Sequence, residues 1–328
     1  MSQFGIYISC HRSDYRLTKG CCESIRCFAG DVPICLLVDG DYSTARLEKQ
    51  YGCQIIRKED VKDKDLRTRS FGGWGYSKFI PFWEGPFDRF LHLDSDTLML
   101  GNVCGLSAET DADIIISVTP DVTHSHDSIT AHWFSPEFVT KLVPGFRIEG
   151  QPYFCAGVAF GRKGVFALDE YMNLLELQKA NPGRSFQSGD QGIFNFLVFH
   201  LSSLGRLKVA ERQFQSYPLY MSAEEIREMN SHLADLSEGW KGTPTVLHYI
   251  DVKPSLFHEG ALRRILQRTG SGWHPAEGWP VALNRFRIRS GRNAGWPVLA
   301  AYAEAIVEDL QYHSAAFRKR LGVLRSSY

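Results

Sequence analysis

The run FLHLDSDTLML, from Phe90 to Leu100, is apolar enough for a strand buried on both faces, yet it carries Asp94 and Asp96 one residue apart. An unpaired buried carboxylate is costly, and two so close together repel one another. Two carboxylates at i and i+2 where a strand ends can both reach one divalent cation. A hard ion such as Mg²⁺ or Mn²⁺ takes oxygen ligands and keeps positions open for phosphate. Asp and Ser are also ordinary turn residues, so the surroundings decide what the motif means.

Upstream, FGIYISC (4–10) is a β-rich run, followed by polar HRSDY and a helical pattern, TKGCCESIRCFAG, ending at Gly30. PICLLVDGD (33–41) reads as a second strand closing on the turn pair Asp39-Gly40. STARLEKQYG reads as a helix stopping at Gly52, and CQIIRK as a third strand. This β-α-β-α-β order predicts an open parallel sheet with helices on its faces. FLHLDSD is then the fourth strand and ADIIISV (112–118) the fifth. Ligands of such sheets bind beyond the carboxyl ends of the strands. HRSDY, VDGD and DSD all fall there, so one rim should gather them.

The chain has 328 residues, 44% apolar and 23% charged, in keeping with a globular protein with a large core. Its formal net charge is zero, which gives no support to a nucleic-acid binder. That zero conceals an asymmetry: residues 261–328 carry eleven Lys/Arg against four Asp/Glu. The expected division is a body over 1–260 and a basic, mainly helical extension over 261–328. Eight cysteines, none in a CxxC pair, are expected to be buried free thiols of a reducing compartment. The opening MSQFGIYISCHRSD lacks a charged segment followed by a long apolar one, and no apolar run approaches a membrane span. The expected location is therefore cytoplasmic.

Five blocks in one order carry a resemblance. They are GYSKF (75–79), LDSDTLML, YFCAGVAF (153–160), GDQGIFNF (189–196) and HYIDVKP (248–254). Together, over about residues 4–257, they resemble the GT-A glycosyltransferases, specifically the family-8-like retaining enzymes that include bacterial galactosyltransferases and glycogenin. The resemblance implies an α/β, Rossmann-like GT-A fold with a mainly parallel central sheet flanked by helices. It also implies an Mn²⁺- or Mg²⁺-dependent transfer of sugar from a nucleotide-diphosphate donor to a glycan, lipid-linked or protein acceptor. A UDP-sugar is the expected donor.

Residue by residue, the resemblance makes Asp94, Asp96 and His248 the metal ligands, with a neutral imidazole completing the shell. Lys253 would hold the departing diphosphate as a point charge, and Lys78 would lie near the donor's phosphates or sugar. Asp190 would meet sugar hydroxyls, and Gln191 the face where the acceptor attacks. Both also open an apolar run, where Asp190 could instead serve as a helix cap. Ser95, between the two acids, is counted with the donor-binding residues. The loop CHRSDY, with Cys10, His11 and Asp14, and the strand end at Asp39 would meet base and ribose. Cys155 stands where the family has a sugar-contacting Asn, and a thiol is a poor replacement for an amide. HYIDVKP is one residue shorter than its counterpart and has Asp251 near the expected Gly.

Three further readings stay open at this point. A strand followed by DxDx and Thr or Val marks the haloacid-dehalogenase-like phosphatases, whose first Asp is a nucleophile. Here Leu98 stands at the Thr/Val position and the motif closes the fourth strand, not the first. The second reading is an inverting GT-A enzyme, and the third a non-catalytic module that binds a sugar nucleotide or glycan. HSHDSITAH (124–132) reads as a polar loop that could touch the acceptor. After Gly295, apolar residues recur at helical spacing, with Glu304, Glu308 and Asp309 early and Arg318, Lys319 and Arg320 late, which suits a helix dipole. Such a basic segment either packs on the body or holds the protein peripherally on an anionic membrane.

Overall fold

The computed structural model describes residues 3–250, apart from positions 73–74, 188, 219 and 235–238. The extension 261–328, its expected helix and Lys253 lie outside the described residues.

The described strands are β1 (Phe4–His11), β2 (Ile34–Asp39), β3 (Gln54–Ile56), β4 (Arg89–Asp94), β5 (Thr97–Leu100), β6 (Ile114–Ile116), β7 (Val158–Arg162), β8 (Val209–Glu211), β9 (Gln215–Ser216) and β10 (Thr245–His248). The helices are α1 (Tyr15–Ala29), α2 (Ala45–Tyr51), α3 (Lys64–Arg69), α4 (His126–His132), α5 (Pro136–Leu142), α6 (Leu168–Ala180), α7 (Asp190–Ser203) and α8 (Ala223–Ala234). The expected β-α-β-α-β opening is β1 to β3. Its first helix starts at Tyr15, a turn earlier than the apolar pattern indicates. Gly52 closes α2 in the left-handed conformation, φ 63°, donating its N–H to Glu48 O.

Seven strands form the main sheet in the order β3-β2-β1-β4-β7-β6-β8. β1 lies parallel to both β2 and β4, whereas β7 runs antiparallel to β4 and β6. The sheet is thus mainly parallel with one reversed strand, and helices cover it. Alternation along β1 and β4 sorts the side chains into two cores. Ile6, Ile8, Leu91 and Leu93 pack with Cys21, Cys22 and Ile25 of α1 and with Leu47 and Tyr51 of α2. Tyr7 and Phe90 face an aromatic layer made by Phe79, Phe82, Phe87 and Phe194. All eight cysteines are free, as expected; Cys10, Cys21, Cys22, Cys35 and Cys53 are buried, whereas Cys27, Cys104 and Cys155 are only half-buried, contrary to the expectation.

The long apolar run of the motif is split. β4 ends at Asp94, and β5 leaves the main sheet to join a second one of order β5-β10-β9. There Thr97 pairs with His248 in an antiparallel register. The segment read as a polar loop, 124–132, is mostly helix α4, because Ser125 caps it by accepting the Ser128 N–H.

Candidate active site

On β4, residues two apart share a face, so His92 and Asp94 point the same way as Phe90. That face looks toward the 3₁₀ segment Tyr76–Phe82, which carries Lys78, and toward the first turn of α7, which carries Asp190. Lys78 is 6% exposed, and its Nζ lies 3.0 Å from Asp94 Oδ1 and 2.5 Å from Asp190 Oδ2. It is therefore no surface lysine. It is the cation that half-buried Asp94 and buried Asp190 share, drawn from the GYSKF block. His92 Nε2 sits 3.3 Å from Asp94 Oδ1.

The charges interlock. Burial disfavours the Asp94 carboxylate, but Lys78, His92 and His248 together hold its pKa well below the ordinary value. Burial likewise disfavours the Lys78 ammonium, and Asp190 and Asp94 more than offset it, leaving Lys78 above its usual value. Asp190 is pushed up, first by burial and then by repulsion from Asp94, against the pull of Lys78. Asp190 does not cap α7: the capping position is Gly189, and the carboxylate is committed to Lys78.

Asp96 and His248 come together through the second sheet. Tyr249 donates its N–H to Asp96 O at 3.0 Å, and His248 Nε2 lies 3.3 Å from Asp96 Oδ1 and 4.0 Å from Asp94 Oδ2. One ligand atom each of Asp94, Asp96 and His248 fall within 4.8 Å of one another. The space between them exists because residue 157 is glycine: a Cβ there would collide with His248 Cε1 and lie 2.5 Å from Asp94 Oδ2. Two carboxylate oxygens and one imidazole nitrogen suit a hard or borderline divalent ion such as Mg²⁺ or Mn²⁺.

A cavity of about 640 Å³ opens over these residues. The three strand ends do converge on it: Cys10, His11, Asp14, Asp39, Ser95 and both motif acids line it. His11 Nδ1 is 2.9 Å from Ser13 Oγ, and Asp39 accepts the Gly72 N–H at 3.0 and 3.1 Å. Gln191 also lines the cavity, with its amide donating to Phe154 O at 2.9 Å and accepting the Ala156 N–H at 2.7 Å. Both ends thus brace the loop that bears Cys155. The Cys155 thiol lines the cavity too, 3.5 Å from His248 Nδ1. From the polar stretch after β6, His132 and Trp133 reach the cavity, whereas His124 turns its Nε2 to Thr119 Oγ1 at 3.0 Å.

Sequence reasoning missed His92 and Gln215. His92 reads as strand filler, though its i, i+2 spacing to Asp94 is a usable signal. Gln215, 2.8 Å from His248 Nδ1, lies in a two-residue strand that no local pattern marks.

No protein-family model and no curated protein matches the sequence. Solved structures do match. The bifunctional glycosyltransferase WbbM in its apo form is 15% identical, with a TM-score of 0.52 over 82% of this chain and 50% of that one. This chain therefore spans half the length of WbbM. The galactosyltransferase LgtC, solved in complex with donor and acceptor sugar analogues, is 17% identical. Its TM-score is 0.51 over 81% of this chain and 95% of its own. At this identity the likeness speaks for the fold. The mixed α/β fold of this chain, with its mainly parallel seven-stranded sheet, is the GT-A fold of glycosyltransferases.

Proposed function

We propose that the protein is a metal-dependent glycosyltransferase that moves a sugar from a nucleotide-diphosphate sugar, a UDP-sugar, to a glycan, lipid-linked or protein acceptor with retention. The observation that carries this reading is the trio Asp94, Asp96 and His248 facing one point beneath a cavity of about 640 Å³. Those three side chains would hold Mn²⁺ or Mg²⁺, which as a Lewis acid would stabilise the leaving diphosphate. Lys78 orients Asp94 and Asp190 around its ammonium and sets the charge that a donor meets. Asp190 presents a carboxylate suited to sugar hydroxyls, and Gln191 fixes the loop on which Cys155 borders the sugar position. Cys10, His11, Asp14 and Asp39 line the cavity at or just beyond the ends of β1 and β2, where base and ribose would fit; Ser95 lines it too and would lie by the phosphates. Lys253, outside the described residues, would hold the diphosphate, and the basic extension would rest on the body or on an anionic membrane surface of the cytoplasm.

A panel of sugar nucleotides tests the reading directly. With Mn²⁺ present, one UDP-sugar should release UDP and raise the melting temperature above the others, since a ligand of the native state stabilises it. Both effects should vanish with EDTA. Release of phosphate from p-nitrophenyl phosphate, with no UDP release from any donor, would point to a phosphatase instead.

A further inference from the structure

His248 has two ring nitrogens with different tasks. Nε2 faces Asp96 and Asp94, while Nδ1 faces the side chain of Gln215 at 2.8 Å. Gln215 is 2% exposed. Its backbone is pinned, since its own N–H donates to Ser117 Oγ at 3.2 Å and Val246 pairs with it across β9 and β10. The amide is not pinned. As placed, Nε2 of Gln215 donates to Nδ1, and Oε1 has no partner among the described residues. The direction of this amide is thus set by His248 alone.

That contact ties the direction of the amide to the tautomer of the ring. When the amide donates to Nδ1, a neutral imidazole carries its proton on Nε2 and gives it to Asp96. A ring in that form keeps its lone pair on Nδ1 and offers none from Nε2 to a metal between the carboxylates. When the amide turns over, Oε1 accepts an Nδ1 proton and the Nε2 lone pair faces the two carboxylates. Metal-bound histidines generally donate their other ring N–H to such an acceptor. The Cys155 thiol, the second group near Nδ1, is farther away at 3.5 Å and a weaker acceptor.

We propose that Gln215 is the positioning residue of His248, and that its amide turns over between the metal-free and metal-bound states, donating to Nδ1 in the first and accepting from it in the second. The choice of glutamine follows from this. A glutamate in its place could only accept, and an apolar chain of the same length could do neither. This inference rests on the metal assignment made above.

The test uses the full chain and Mn²⁺ alone, with free Mn²⁺ counted by electron paramagnetic resonance at pH 8. Gln215→Met should weaken Mn²⁺ binding by about tenfold or more. Gln215→Glu, which still accepts from Nδ1, should stay within about threefold of wild type. Imidazole ¹⁵N shifts of His248 should report an Nε2 proton without metal and an Nδ1 proton with diamagnetic Mg²⁺. Wild-type affinity in Gln215→Met, equal weakening in both folded variants, or one unchanging tautomer would each overturn the proposal. His248→Ala separates the two levels. If it too binds Mn²⁺ normally, the metal assignment has failed; if it alone loses Mn²⁺, only the role of Gln215 has.

Discussion

Nζ of Lys78 lies 3.0 Å from Oδ1 of Asp94, so the first acid of the DSD motif is already paired before any ligand arrives. The lysine comes from a separate block of sequence and is itself buried. Breaking a buried pair by removing one partner is strongly destabilising, because the remaining charge is left uncompensated. Lys78→Met should therefore cost about 3–5 kcal/mol in the metal-free protein, measured by urea unfolding. Mn²⁺ should restore more stability to the variant than it adds to wild type. A loss below about 1 kcal/mol, the range of surface pairs, would mean that other groups neutralise Asp94.

The same pair has a pH signature. Asp94 is depressed in the folded state, so its contribution is present above the ordinary carboxylate value of 3.8 and is lost as pH falls through the folded value. Lys78 is raised, so its contribution is complete below 10.5 and is lost as pH climbs through the folded value. The stability gap between wild type and Lys78→Met should be widest between those limits and close at acid pH. A gap equally wide at pH 3 and pH 7 would remove Asp94 from the account.

Asp96→Asn should abolish the Mn²⁺-dependent rise in melting temperature given by UDP while leaving the metal-free protein folded. Asp94→Asn should do the same, with the added loss of a partner for Lys78. Retention of the metal response in both variants would sink the metal assignment.

Gly157→Ala tests the space between the ligands. Its Cβ would collide with His248 and stand 2.5 Å from Asp94, so one of them must move. Mn²⁺ affinity should fall by about tenfold or more, with the circular dichroism spectrum unchanged. Normal affinity would show that the 155–158 loop can yield.

Gln191→Ala removes both braces of that loop, leaving Phe154 O and the Ala156 N–H without the amide that meets them. A loss of about 1–3 kcal/mol is expected from thermal unfolding. Under the proposed reaction kcat should fall more than KM. A change in KM alone would make Gln191 a binding residue only.

Much of this site could be seen in the chain before folding. Strand-end acids announce themselves because apolar runs stop at them, and so HRSDY, VDGD and DSD could be assigned to one rim. The reversal of β7 could not, since nothing in VAFGR marks its direction. The parting of β5 from β4 was hidden for a related reason: TLML is as apolar as FLHL, and nothing local says that it joins another sheet. Lys78 illustrates a third limit. A lysine in GYSKF looks alike whether solvated or buried, and only its partners at 94 and 190, brought in by long-range packing, decide the matter.

The junction of the two sheets has a further meaning. Asp94 ends a strand of the large sheet, and His248 ends a strand of the small one, far along the chain. An ion gripped by both would tie more than half of the described chain into one closed loop. Clips on long loops remove the most freedom from the unfolded chain, and affinity for the folded form adds to its stability by mass action. Such an ion would thus be a rivet as well as a reagent. The urea midpoint would climb with Mn²⁺ concentration, and β10 would be among the last places where amide hydrogens exchange.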